Sequence, residues 1–192
     1  MKLISTKLLF SSALFLVFCN QNFAQNASVE KSTSGIQVGL LGAWIHKEIK
    51  LANEIALRGE VGLNGGIWGG SFYPKTGYLF TPVLTIEPRW YYNLEKRQSK
   101  TKNIAGNSGN FLTIQSSFHP NWFTISNYSN VEIANQVSII PTWGIKRNIG
   151  NHLTYETGIG IGVRYIFAKS SGYVNNVSET AANLHLRIGY RF

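Results

Sequence analysis

The side chains best equipped for chemistry are four histidines, a glycine-rich run, and a set of glutamates spaced among arginines. His46, His119, His152 and His185 offer imidazoles for metal ligation or proton transfer. They show neither HxH nor HxxxH spacing and have no cysteine partner, so each reads as a single hydrogen-bonding group at a lumen or interface position. A hydrolytic triad would need a nucleophile-elbow signature, and none is present. Gly158-Ile159-Gly160-Ile161-Gly162 has the glycine density of a phosphate loop but lacks GxGxxG or GK[ST] spacing. Its strict alternation is that of a strand whose glycines make room for bulky neighbours. The single cysteine, Cys19, falls in the N-terminal leader, so no disulfide or thiolate chemistry is expected. Neither an enzyme, a cofactor nor a metal site is expected from these residues.

The charged residues carry more information through their spacing. In 54–68 the odd positions are Ile55, Leu57, Gly59, Val61, Leu63, Gly65 and Ile67, while the even positions include Arg58, Glu60 and Asn64. Successive strand residues point to opposite faces, so one face is apolar and the other ionic. The split recurs in 78–92, where Tyr78, Phe80, Leu84, Ile86 and Trp90 oppose Glu87 and Arg89. In 152–167, Ile159, Ile161 and Val163 oppose Glu156 and Arg164; in 180–192, Leu184, Leu186 and Ile188 oppose Arg187. Weaker versions occupy 36–46, 110–118 and 137–146.

A soluble sandwich also alternates, but its polar face meets water and scatters lysine and glutamate freely. Here the polar faces carry glycine, threonine, and arginine with glutamate, types that suit a narrow lumen. The apolar faces end in aromatics: Trp44, Trp90 with Tyr92, Trp143, Tyr165 with Phe167, and Tyr190 with Phe192. The expected fold is all-β, a closed antiparallel up-and-down transmembrane β-barrel of eight strands. Such a barrel is just wide enough for side chains to fill it. Arg58, Glu60, Glu87, Arg89, Glu156, Arg164 and Arg187 are therefore expected to pair as a buried ion network.

Residues 1–24 are read apart from the barrel. Lys2 and Lys7 precede an apolar run from Leu8 to Phe18, and Ala24 offers a small residue for cleavage, the plan of a secretory signal peptide. Bulky Phe18 before Cys19 disfavours a lipoprotein. Losing two of the 18 basic residues leaves 16 against 9 glutamates, a net charge of +7 on the barrel domain 25–192. For an exported chain this balance suits anionic lipid headgroups rather than nucleic acid.

Seven strands are plain: 35–46, 54–67, 78–92, 109–119, 135–146, 152–167 and 180–192. The eighth is placed at 122–133. The alternative makes 109–125 one long strand, with the missing strand near the mature N-terminus. In the first arrangement residues 147–151 are a periplasmic turn, while 94–108 and 168–179 are both outer loops. Lys96, Arg97, Lys100 and Lys102 then become the candidate contact to lipopolysaccharide phosphates.

Three stretches, Trp90-Tyr91-Tyr92-Asn93-Leu94-Glu95-Lys96-Arg97, Asn107-Ser108-Gly109-Asn110-Phe111 and Ile140-Pro141-Thr142-Trp143-Gly144-Ile145-Lys146-Arg147-Asn148, resemble small outer-membrane β-barrel proteins of Bacteroidetes-type bacteria. The final stretch, with Leu184, Leu186, Ile188, Tyr190 and terminal Phe192 at alternate positions, is similar to the C-terminal signal read by the barrel assembly machinery. The resemblance spans the mature chain. It implies the fold and an outer-membrane location in a Gram-negative bacterium, and it transfers no functional residue. The expected role is structural, adhesive or envelope-interacting, through outer loops of a monomeric barrel in contact with membrane lipids. A narrow pore is the first alternative and a lipid-A-modifying enzyme the second.

Overall fold

The computed structural model describes residues 27–192; the expected leader, 1–24, lies outside the described residues. Nine strands make one antiparallel sheet: β1 (Ser32–Gly39), β2 (Gly42–Lys50), β3 (Ile55–Trp68), β4 (Gly77–Trp90), β5 (Asn110–His119), β6 (Ile125–Ser126), β7 (Gln136–Ile149), β8 (Leu153–Ile166) and β9 (Val177–Arg191). Long strands pair with their neighbours along the chain, β5 passes directly to β7, and β9 returns to β1 with Gly35 opposite Arg191 and Gly39 opposite Arg187. Eight strands thus close a ring of up-and-down topology. The two-residue β6 only touches the edge of β4, opposite Leu79 and Phe80.

Two expected boundaries are corrected. The strand expected at 35–46 is a hairpin, β1 and β2, joined by a two-residue turn at Leu40 and Leu41. Both turn residues are apolar, so the hydrophobic alternation runs straight through the reversal and conceals it. Gly42 permits the turn: its φ is +154°, and a Cβ there would lie 2.3 Å from the Leu63 carbonyl oxygen. The strand expected at 122–133 contributes only β6. Its middle is instead tied down over the β3–β4 connection, where Lys75 Nζ donates to the Asn127 carbonyl at 2.7 Å and Tyr128 Oη donates to the Lys75 carbonyl at 2.7 Å. Asn130, at φ +59°, takes a left-handed turn conformation that breaks a strand. The missing strand is therefore the N-terminal one, although β5 still ends at His119.

That displacement reverses the sidedness of one loop. Connections 51–54, 91–109 and 150–152 lie at the end holding the first and last strand termini, here the terminal end. Connections 40–41, 69–76, 120–135 and 167–176 lie at the opposite, loop end. Residues 94–108 and 168–179, expected on a common outer face, sit at opposite ends, because the extra strand precedes 78–92 rather than following it.

The side-chain sorting follows the expected parity with one exception. Val61, Ile159 and Leu184 face outward at 60, 61 and 82 % exposure, while Arg58, Glu87 and Glu156 face inward at no more than 1 %. Aromatic residues bound this aliphatic belt: Trp90, Tyr92, Trp143, Tyr190 and Phe192 towards the terminal end, Tyr78, Tyr165 and Phe167 towards the loop end. Trp44 is the exception. The hairpin turn inverts parity between β1 and β2, so Trp44 is buried in the lumen instead of joining an aromatic rim.

Candidate functional site

The barrel interior divides into a filled terminal half and an open loop half. Strand register builds the first. Glu48 on β2 stands opposite Arg58 on β3, which stands opposite Glu87 on β4; Lys146 on β7 stands opposite Glu156 on β8, which stands opposite Arg187 on β9. Two rows of alternating sign thus face each other across the lumen, and opposite charges in neighbouring strands are favourable pairs.

The shortest contact, Arg58 Nη2 to Glu60 Oε2, runs along β3, and others bridge separate strands across the lumen. Arg89 on β4 grips Glu156 on β8 with two hydrogen bonds, Nη2 to Oε1 at 2.7 Å and Nη1 to Oε2 at 3.0 Å. Its Nε also donates to Glu87 at 2.8 Å. Lys146 Nζ reaches Glu48 Oε1 at 2.8 Å, and Arg187 Nη1 reaches Glu60 Oε2 at 2.7 Å. Arg58 sits centrally, with Nη1 at 3.3 Å from Glu48 and 3.5 Å from Glu156 and with Nη2 donating to Gln37 Oε1 at 2.6 Å. Glu48, Glu60, Glu87 and Glu156 balance Arg58, Arg89, Lys146 and Arg187, so the formal charges cancel. Isolated charges could not survive such burial; pairing and hydrogen bonding are what permit it.

Of the expected lumen residues, Arg58, Glu60, Glu87, Arg89, Glu156 and Arg187 are brought together, and Arg164 is not. Arg164 lies near the loop end and pairs with Glu179 at 3.2 Å, both side chains more than a third exposed. Strand-boundary placement hid two members: Glu48 lies beyond the expected strand end at 46, and Lys146 was the last residue of its expected strand. Extending the parity of Thr142 would have found Lys146, but the unseen turn at 40–41 inverts the parity of the expected strand 35–46 and so conceals Glu48. Neutral donors complete the site: Tyr91 Oη and Asn107 Nδ2 give Glu48 Oε2 bonds of 3.1 and 2.7 Å, and Gln115 Nε2 gives Glu87 one of 3.2 Å.

A folded plug seals this half from below. Segment 91–109 carries a short helix, α1 (Leu94–Gln98), and a 3-10 turn at Ala105–Asn107. Tyr91, Leu94 and Phe111 pack with Ala27, Val29 and Ala56 into the main apolar cluster. The Phe111 ring lies over Gly144, where a Cβ would fall 2.3 Å from the ring, and the Arg89 guanidinium stands 4.2 Å from the ring centroid. The same role, expected for the glycines of 158–162, falls to Gly158, where a Cβ would lie 2.5 Å from the His185 ring. Glu30 pins the plug by accepting from the Gly106 amide and from Arg191 while its own amide donates to Asn107 Oδ1 at 2.8 Å.

Above the network the lumen opens into a cavity of about 440 Å³ lined by Trp44, Asn64, Ser117, His119, Asn183, His185 and Arg187, with Leu40, Leu41 and Arg164 towards the loop end. The expectation of a lumen filled throughout is corrected here: small residues such as Ser117, Ser138 and Gly65 leave space that the terminal half gives to arginine and glutamate. His46, His119 and His185 all face inward, whereas His152 stacks on Tyr190 outside, at 5.2 Å between centroids. Among the described residues no group of three or more His, Cys, Asp or Glu could hold a metal ion.

No family model, curated protein or solved structure matches this chain.

Proposed function

We propose that the chain is an integral outer-membrane β-barrel of a Gram-negative envelope, working as a non-enzymatic interaction protein that presents its loop end outward. One observation carries the reading: an exposed aliphatic belt, flanked by aromatics, surrounds an interior of eight buried and mutually paired charges. Water would invert that arrangement, since large exposed apolar surface marks contact with lipid or protein. Barrels of this kind keep short turns on the periplasmic side, which favours the terminal end, with its turns 51–54 and 150–152, as the periplasmic one. Leu184, Leu186, Ile188, Tyr190 and Phe192 all point outward along β9, accessible to the barrel assembly machinery that we expect to read them.

The orientation reassigns the basic cluster. Lys96, Arg97, Lys100 and Lys102 join Lys31, Lys47 and Lys50 at the terminal end, where they suit anionic phospholipid headgroups of the periplasmic leaflet better than lipopolysaccharide. The loop end instead carries exposed Phe72, Tyr73, Trp122, Phe123 and Tyr173. Aromatic residues of this kind anchor protein interfaces. Between 121–134 and 166–177 lies a recess of about 1210 Å³, lined in part by Trp122, Tyr128 and Tyr173, that would receive a partner.

Surface labelling tests the orientation: a tag within 124–131 should be accessible on intact cells and one within 98–103 should not. Deleting 121–131 should abolish solid-phase binding to host matrix or to purified envelope components, whereas deleting 96–102 should not. Binding that survives the first deletion overturns the adhesive role. A narrow pore is the second reading, favoured by the loop-end cavity and opposed by the sealed terminal half; steady single-channel currents in planar bilayers would establish it. Overexpression should leave the lipid-A mass spectrum unchanged.

A further inference from the structure

We infer that the open half of the lumen binds a small solute bearing a carboxylate or phosphate group, which enters from the loop end. The cavity, about 440 Å³, lies within the ~300–1,000 Å³ typical of small-molecule sites. It is blind, because Glu60, Arg187 and the network beneath close its floor. Along β8 the lumen face runs Gly158, Gly160, Gly162 and Arg164; His185 and Thr142 lie over the first two glycines, and Arg164 is the β8 side chain that lines the cavity.

The class of solute follows from which polar atoms lack partners. Three buried atoms of cavity-lining residues have none, His119 Nδ1, Arg164 Nε and Arg187 Nε, while His185 Nε2 faces Glu156 Oε1 at 3.4 Å. All three are nitrogens, and the two arginine atoms can only donate. The carboxylates around them are already engaged. Glu60 accepts from Arg58 and Arg187, Glu156 from Arg89 and Gln37, and Glu179 from Arg164. The unmet need is for acceptors, and a buried donor without one is costly. His119 is 9 % exposed, and its Nε2 is taken by Asn64 at 3.0 Å, which leaves Nδ1 as its free atom. Trp44 reports on the same space: its Nε1 donates to Asn64 at 2.7 Å and the Arg187 guanidinium stacks 4.0 Å from its ring. Arg164 near the mouth and Arg187 at the floor place guanidinium donors at both ends of the cavity, each guanidinium also holding a glutamate.

Calorimetry on the full barrel refolded in detergent, titrated with succinate or inorganic phosphate against sodium chloride at equal ionic strength, tests the assignment. Saturable heat with either probe, and none with chloride, is expected; the preferred probe tells carboxylate from phosphate. Replacing Trp68, Trp90, Trp122 and Trp143 by phenylalanine isolates Trp44, whose fluorescence should be quenched more by iodide than by caesium and protected by the bound probe. Arg164→Gln and His119→Phe should each weaken binding by roughly tenfold or more while the barrel still refolds. No saturable heat at millimolar probe, or equal quenching by iodide and caesium, overturns the inference. Should the four-phenylalanine protein not refold, wild-type calorimetry decides alone. These outcomes do not depend on loop-mediated binding, so either proposal can fail without the other.

Discussion

The two halves of the lumen are built from the same strands with the same inward parity, yet one is solid and the other hollow. In the terminal half the inward positions are arginine, glutamate, lysine, tyrosine and phenylalanine, and long side chains from opposite walls meet at the axis. In the loop half the inward positions include serine, asparagine, threonine and glycine, too short to meet. Closing the ring therefore does not decide whether an eight-stranded barrel is filled; side-chain reach does. The solid half braces the cylinder, and the hollow half is free to carry a ligand. Stability should be concentrated below the cavity and chemistry within it.

The sharpest way to break this comparison is to remove a brace. Glu156→Gln strips the paired acceptor from Arg89 and leaves the four basic groups facing three carboxylates. Breaking a buried pair typically costs about 3–5 kcal/mol, so urea unfolding in detergent or lipid should show a loss of that size. Phe111→Ala tests the plug beside it. The ring is fully buried, and a Phe→Ala change in such a core costs about 3–5 kcal/mol. Values near zero for both would mean the filled half is ornamental to stability. Ile159→Arg tests the opposite face of the same strand wall. If that face meets lipid as proposed, a basic residue there costs about 2–4 kcal/mol at mid-membrane. It should unfold the barrel more easily in lipid vesicles, while the same change at exposed Tyr173, in a loop, should be neutral.

How much of this was legible beforehand depends on what each feature rests upon. The parity of β3, β4, β8 and β9 rests on side-chain type alone, and it placed Arg58, Glu60, Glu87, Arg89, Glu156 and Arg187 correctly. Turns between apolar residues left no such trace. Leu40 and Leu41 continue the oily pattern through a reversal, and that one omission displaced a strand, inverted Trp44 and put the 94–108 loop at the same end as 168–179. Lys146 escaped notice at the end of its expected strand although its parity was readable, whereas Glu48 lay past a strand end on the far side of the hidden reversal, where the parity is inverted. The cavity was illegible for a different reason. It depends on how far side chains reach across a closed ring, a three-dimensional quantity that alternation along single strands does not contain.

The smallest expected effect comes from the one expected network member that stands apart. Arg164 pairs with Glu179 where both side chains are more than a third exposed, so water and salt screen the attraction. Exposed pairs of this kind contribute at most about 1 kcal/mol. Arg164→Gln should therefore shift the urea midpoint little, by no more than a small fraction of the Glu156→Gln effect, and raising the salt concentration should shrink the difference further. The same substitution is expected to weaken anion uptake by the cavity. A residue whose loss leaves stability intact but empties the site would locate the boundary between brace and chamber at the level of β8 between Glu156 and Arg164. A large loss of stability would instead extend the brace to the loop end.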